Sequence, residues 1–419
     1  VSAGTSRSAV APEKSPGMPG DLKMARALWP VLVASAVSLL PFTVFSTYLV
    51  PIAEETGSGV AAVGGLRGLG GLAALAVGTA LAPLIDRVPK SKAVAVGLVV
   101  LAVSSALGAS GDFLLTAVFC LLVGAGTAVI NPALTAAAAD RFGDGKSAAR
   151  AATLVTSTTS MTAMLAAPLI ALPALLWGWE GDLLAVTVVS LLLAAVFLVR
   201  GRKSEDAVAE GGPRTGYFAS FKALAQVRGS VPLLAISFLR TAVFMGYLAY
   251  LAVYYDDRFH LDPALFSLVW TLSGASFFVS NLLTGRITNT ENSTVGTERL
   301  LLVGLLAALV TATGFWFTTW LPLALAFTSL HAASHAIVAA CAVSLLVRRC
   351  GSMRGSALSL NAAGQSLGVF AGAALGGAGL GLAGYPGIAA AFGLLVAVAV
   401  VAGLLVLRSE DEDEMPGTA

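Results

Sequence analysis

Long apolar runs alternate with short polar breaks along the whole chain. Twelve such runs can be marked: 28–52, 60–84, 93–109, 113–139, 151–176, 183–199, 231–253, 264–284, 300–318, 321–346, 356–380 and 386–407. A bilayer core is about 30 Å thick, so a helix needs about 20 mainly apolar residues to cross it. Two of the runs, 93–109 and 183–199, are a little short of that. The pattern predicts an all-α integral membrane protein of twelve transmembrane helices, here called spans 1 to 12.

The polar breaks give the orientation, because lysine and arginine collect on the cytoplasmic side. With the N-terminus inside, 22 of the 25 basic residues fall in inner segments. Arg258 lies in an outer loop, and Arg67 and Arg240 lie within spans 2 and 7. A missed span would invert every later loop, so the asymmetry also supports the count. The longest inner segment, 200–230, opens with "RGRKSEDAVAEGGPR" and divides the spans six and six.

The predicted organisation is a disordered cytoplasmic tail (1–27), an N-terminal six-helix bundle (28–199), a cytoplasmic linker (200–230), a C-terminal six-helix bundle (231–407) and an acidic cytoplasmic tail (408–419). Two bundles joined by a basic loop are the layout of a secondary transporter. Residues 1–27 contain "APEKSPGMPGD" and no long apolar core, which predicts a tail and not a signal peptide. The "EDEDE" run reads as a solvated end. Valine as first residue fits a non-standard start codon, and the Ala, Gly, Leu and Val bias fits a GC-rich genome.

Composition agrees with a membrane protein: 57% hydrophobic, 11% charged, mean hydropathy +0.86. A net charge of +2 without a basic stripe argues against a nucleic-acid partner. Cys120, Cys341 and Cys350 form neither a disulfide framework nor a metal spacing and read as small buried hydrophobes. No cofactor is expected.

Charges in hydrocarbon are costly and usually functional, so depth sorts the candidates. Of 23 acidic residues, Glu54, Glu55, Asp112, Glu180, Asp182, Asp256, Asp257 and Asp262 lie outside and the rest inside, with none near mid-membrane. Arg240 in span 7 and His331 in span 10 each lie about 14 Å deep, and Asn131 in span 4 about 12 Å from the inner end. Two of the three histidines, His331 and His335, stand one helical turn apart in "HAASHAIVAA" and share a face. They lack a third ligand for zinc. Arg67 is shallower and is expected to snorkel outward.

Several motifs carry a resemblance. "APLIDRVPKSK" (82–92) looks like a first-loop signature Gly-x-x-x-Asp-Arg-x-Gly-Arg-Lys, matching at Asp86, Arg87 and Lys90, with Ala82 and Pro89 for glycines and Ser91 for a base. "AMLAAPLIA" (163–171) is similar to the span 5 signature Gly-x-x-x-Gly-Pro, with Ala163 and Ala167 before Pro168. "WGWEGDLLA" follows and resembles a Gly-Trp-Arg-x-x-Phe turn, with Glu180 in the arginine's place. On these residues, over nearly all of 28–407, the chain resembles the major facilitator superfamily, and more narrowly its bacterial 12-span drug:proton antiporter branch.

The resemblance implies a monomer in the bacterial cytoplasmic membrane. It implies that Asp86 and Arg87 lock the bundles at the inner face, and that spans 1, 4, 7 and 10 line a central cavity. Spans 2 and 11 are expected to meet across the bundles. Gly364, Gly368, Gly372 and Gly376 on span 11, with Gly64, Gly68 and Gly71 on span 2, are therefore expected to form a sliding contact. Asp86, Arg87, Pro168, Gly368 and Gly372 make up the expected conformational motif. One departure stands out: the family's span 4 coupling arginine corresponds to Cys120, four residues before Gly124.

The cavity-lining spans carry polar stripes: Thr127, Asn131 and Thr135 on span 4; Arg240, Phe244 and Tyr247 on span 7; Thr328, His331 and His335 on span 10; Ser35, Ser38 and Phe42 on span 1. The expected substrate site is Arg240, His331, His335, Asn131, Tyr247, Phe244, Ser38 and Thr127, with His331 and His335 also coupling protons. The expected function is export of a small organic compound by alternating access, exchanged for protons. Uptake or potential-driven movement of an organic anion is the alternative, since an anion beside Arg240 would invite protons onto the histidines. An enzyme is not expected: the outer "YYDDRFHLD" (254–262) offers the only acids for one and reads as a solvated loop.

Overall fold

A computed structural model describes residues 21–80, 88–142, 146–201, 222, 224–288, 296–350 and 354–414. Every regular element among them is helical. Span 1 is built from Asp21–Val37 and Leu40–Thr47 and continues as the short helix Leu49–Glu55. The chain leaves helical geometry at Ser38–Leu39 and restarts with Pro41 in the first turn, where a missing N–H costs nothing. Spans 2, 3 and 4 are Val60–Ala80, Lys90–Gly108 and Phe113–Asp140. Lys146–Gly201 holds spans 5 and 6, separated at Trp177 and Gly178. Gly178 has φ 70°, which L side chains rarely adopt, so the tight outer turn depends on a glycine there.

Spans 7 to 10 are Ser230–Phe259, Pro263–Thr288, Thr297–Gly314 and Leu321–Cys350, with a 3₁₀ turn Phe315–Phe317 closing span 9. Arg354–Glu414 holds spans 11 and 12, separated at Ala383 and Gly384 in the same way as spans 5 and 6. Among the described residues each of the twelve apolar runs is helical, with span 1 divided into three helices, and with spans 5 and 6, like spans 11 and 12, set apart by a kink. Large apolar side chains such as Leu192, Leu282, Leu394 and Val401 lie exposed on the outside, as lipid-facing positions must.

The C-terminal bundle packs around an aromatic core at its outer end, where Tyr254, Tyr255, Phe315, Trp316 and Phe392 are sealed. The Tyr254 hydroxyl donates to the Thr318 carbonyl at 2.6 Å. At the inner end Arg349 and Glu298 pair at 3.1 Å and tie span 10 to span 9. All three cysteines are free and buried.

Spans 2 and 11 meet across the bundles. A Cβ on Gly71 would lie 2.5 Å from the Ser366 carbonyl, and one on Gly68 would lie 3.0 Å from that of Phe370. The glycine ridge of span 11 is placed differently from the expectation. Gly368 and Gly372 face span 7 within their own bundle, where added Cβ atoms would press on the Phe238 and Ala242 carbonyls. The reason is angular: residues 366, 370 and 373 occupy the helix face opposite 364, 368, 372 and 376, and repetition every four residues marks a close approach without saying which neighbour approaches. Asp86 and Arg87 lie outside the described residues. Pro168 lies within the helix of span 5, and its side chain is outside the described residues.

Candidate functional site

The two bundles hold separate polar groups. In the C-terminal bundle, the Thr328 hydroxyl lies 2.8 Å from Tyr247 Oη and 2.9 Å from Tyr255 Oη. His331 Nδ1 is bonded to Thr311 Oγ1 of span 9 at 2.9 Å. The His331 ring lies 4.2 Å from Tyr247 and 4.4 Å from His335, centroid to centroid. Phe244 stacks on His335 and, on its span 8 side, on Phe277, each at 5.3 Å. His331 Nε2 and both nitrogens of His335 are buried without a hydrogen-bond partner. Arg240 is buried nearby, and its Nη2 donates to Thr241 Oγ1 at 2.9 Å.

The expected grouping of Arg240, Phe244, Tyr247, His331 and His335 within one bundle is present, but its setting differs from a wet passage. His331 is 0% and His335 1% exposed. In this conformation both rings are enclosed between spans 7, 8, 9 and 10. The spacing of His331 and His335 shows a shared face. It does not show that Phe244 and Tyr247 project onto that face and cover it.

In the N-terminal bundle, Ser38 Oγ donates to the Ser35 carbonyl at 2.8 Å and reaches Asn131 Oδ1 at 3.4 Å. Ser35 Oγ meets Thr159 Oγ1 of span 5 at 2.7 Å. Asn131 and Pro132 are exposed. Thr127 turns back to its own helix and donates to the Val123 carbonyl at 2.8 Å, and Thr135 does the same to Asn131. The expected span 4 stripe therefore offers Asn131 outward while its threonines are satisfied locally.

Two groups were missed. Arg67 does not snorkel; it is 6% exposed. Its Nη1 donates to Ser46 Oγ of span 1 at 2.5 Å, its Nη2 lies 4.0 Å from Met245 Sδ of span 7, and its guanidinium sits 5.7 Å over the Phe42 ring. Tyr250 of span 7 covers the outer turns of span 2, packing on Gly64 and donating to the Ala373 carbonyl at 2.9 Å. The signal was available: Arg67 lies beside the glycine ridge that marks the packed side of span 2. Asp182 is the other. It stands at the outer mouth of span 6, 3% exposed, with neither carboxylate oxygen bonded. A cavity of about 200 Å³ lies elsewhere, at the inner ends of spans 1, 3, 4 and 6, lined by Lys90, Arg141 and Arg200 among others.

A model of the Major Facilitator Superfamily matches residues 31–327 and 259–418. The chain belongs to the Major Facilitator Superfamily. Solved structures show the same fold. A bacterial homologue of the human lysosomal transporter Spinster, inward-facing and unoccupied, superposes with TM-score 0.72 at 15% identity, over 96% of this chain and 100% of that one. A peptide transporter in complex with alafosfalin gives TM-score 0.77 at 14% identity, over 94% and 96%. The human organic anion transporter MFSD10 gives 0.61 at 18% identity, over 91% and 99%. The comparison with curated proteins found no match. This facilitator is a multi-pass membrane transporter of the superfamily's two-bundle form.

Proposed function

We propose that this facilitator exports a small organic compound from a bacterial cell across the cytoplasmic membrane, by alternating access and in exchange for protons. The observation that carries the reading is the set of polar groups deep in both bundles, most of them buried, of a chain with this fold. Such groups are expensive in hydrocarbon and mark transport pathways. Ser38 and Asn131 offer hydroxyl and amide groups on the N-terminal side, and Arg240 a guanidinium on the C-terminal side. The span 5 resemblance supports the export direction. The unpartnered nitrogens of His331 and His335 support proton coupling. Spans 7 and 10 must part for protons to reach them, so the pair titrates in one conformation and is shut in this one.

Transport in inverted vesicles across a compound panel, with and without a pH gradient, tests the reading. Arg240→Ala and the double variant His331→Ala/His335→Ala should reach the membrane and lose gradient-driven accumulation. Wild-type accumulation by both would remove them from the mechanism. A second reading, potential-driven movement of an organic anion, is favoured by a specific observation: Arg67 and Arg240 are buried with no carboxylate partner among the described residues. An anion leaving a negative-inside cell gains about 2.3 kcal/mol per charge per 100 mV.

A further inference from the structure

Arg67 presents an electrostatic problem that none of the other described residues solves. A guanidinium carries five N–H donors and a fixed positive charge. In this structure it meets one oxygen, Ser46 Oγ, and one weak acceptor, Met245 Sδ, while its Nε has no partner. A buried charge is normally paired, since removing an ion from water costs several kcal/mol. None of the acidic residues lies at this depth in the spans. The positive charge is therefore left for a mobile counter-ion to neutralise.

The surroundings of Arg67 fit that role. Ser46 and Phe42 belong to span 1 of the N-terminal bundle, whereas Met245 belongs to span 7 of the other bundle. The group covering the guanidinium is thus carried by the opposite half of the molecule. Just outward of it, Tyr250 closes the contact between spans 2, 7 and 11 through Gly64 and Ala373. When the bundles rock apart, Met245 and Tyr250 leave with their bundle, and Arg67 remains facing the opened passage with Phe42 beside it.

We infer that the cargo is an organic anion and that Arg67 is the residue that holds its negative group, with the Phe42 ring bordering the apolar part. This names the substrate class within the transport reading above and rests on it. It also separates two tasks. An anion held at Arg67 from the N-terminal side need not contact the histidine pair, so cargo binding and proton binding can alternate without competing for the same atoms. A planar guanidinium can take a carboxylate with two parallel hydrogen bonds, which an ammonium cannot match.

The test uses the full-length protein in nanodiscs and matched probes that differ in charge: benzoate with benzamide, and indole-3-acetate with indole-3-acetamide. Ligands that bind the folded form raise its unfolding temperature, so dissociation constants follow from concentration series. At least one carboxylate should bind at least tenfold more tightly than its amide. Arg67→Gln should abolish that preference, and Arg67→Lys should keep part of it. Ser46→Ala is the control for a merely structural role. It removes the oxygen Arg67 holds in this structure, and it should leave the charge preference intact. Carboxylates and amides binding alike, no carboxylate binding, or an unchanged preference in Arg67→Gln would each overturn the assignment. Flux distinguishes this from failure of the transport reading. Charge-selective binding without flux in vesicles leaves Arg67 assigned and removes export. Flux without charge preference removes the assignment of Arg67 alone.

Discussion

The two halves of the molecule share an architecture but handle buried polarity differently. In the C-terminal bundle, hydroxyls and imidazoles are linked into a sealed set: Tyr255 to Thr328 to Tyr247, with His331 against Tyr247 and bonded to Thr311. In the N-terminal bundle the contacts are separate pairs, part-buried at Ser38 to Asn131 and Ser35 to Thr159 and buried at Arg67 to Ser46. A linked set inside one bundle opens only when spans 7 and 10 part and several of its contacts break together. Contacts that cross between the bundles, above all Arg67 reaching Met245, are the ones a rocking motion breaks. Depth in the membrane identified polar groups in both halves, but connectivity decides which of them hold the fold and which face the passage.

The sharpest way to break this contrast is at Tyr247. Its ring is fully buried against His331, Phe315 and Trp316, and its hydroxyl anchors Thr328. Tyr247→Ala should cost about 3–5 kcal/mol, as large-to-small core changes do. Tyr247→Phe keeps the ring and should cost about 1 kcal/mol, the net value of one hydrogen bond. Asn131→Ala, on the open side, should change thermal stability by less than Tyr247→Phe does. Equal losses for Asn131→Ala and Tyr247→Ala would show that the N-terminal contacts hold the fold as firmly as the C-terminal set.

The glycines sharpen the same comparison. Gly372 packs within the C-terminal bundle, where an added Cβ would collide with the Ala242 carbonyl. Gly71 packs between the bundles. Overpacking costs typically about 1–3 kcal/mol. Gly372→Ala should lower the melting temperature and leave outer closure unchanged. Gly71→Ala should loosen the contact between spans 2 and 11, so that a cysteine placed at Ala61 is labelled faster from outside. Identical labelling in both backgrounds would mean that the span 2 and span 11 contact does not control outer closure.

How much of this was legible beforehand follows from what periodicity encodes. Twelve apolar runs and the lysine and arginine asymmetry define the spans, because the bilayer sets both length and charge placement. Helical spacing also groups Thr328, His331 and His335 onto one face. It says nothing about which helix covers that face, and so it could not show that Phe244 and Tyr247 seal the imidazoles. The same gap explains Gly368 and Gly372, whose ridge is real but meets span 7. Arg67 was misread because a short distance to the membrane surface suggests snorkelling, whereas Tyr250, distant in sequence, covers the way out. Asp182 was placed outside by its position just before the run 183–199, and that position does not show that the carboxylate is buried.

The smallest expected effect lies at the outer ends of the bundles. On the C-terminal side Arg258 sits 5.6 Å over the Tyr385 ring and supplies a cation there. On the N-terminal side the turns carry Glu55 and Glu180 and no basic residue. Glu55 is exposed at the end of Leu49–Glu55. Partial burial, then the Glu180 charge and a hydrogen bond shared with it, hold the Glu55 carboxyl above its ordinary range, against a weaker opposing bond from Trp179. A carboxyl raised in the folded state favours folding below its unfolded pKa of about 4.3, and that contribution is lost as pH rises through the folded value. At neutral pH the ionised Glu55 carboxylate is repelled by the Glu180 charge. Glu55→Gln should therefore raise the melting temperature at pH 7, by about 1 °C or less given solvent screening. At pH 4, below the raised Glu55 value, the gain should vanish or reverse. A gain of the same size at both pH values would mean that Glu55 and Glu180 do not interact through their charges, and that the contrast between the two outer ends has no energetic content.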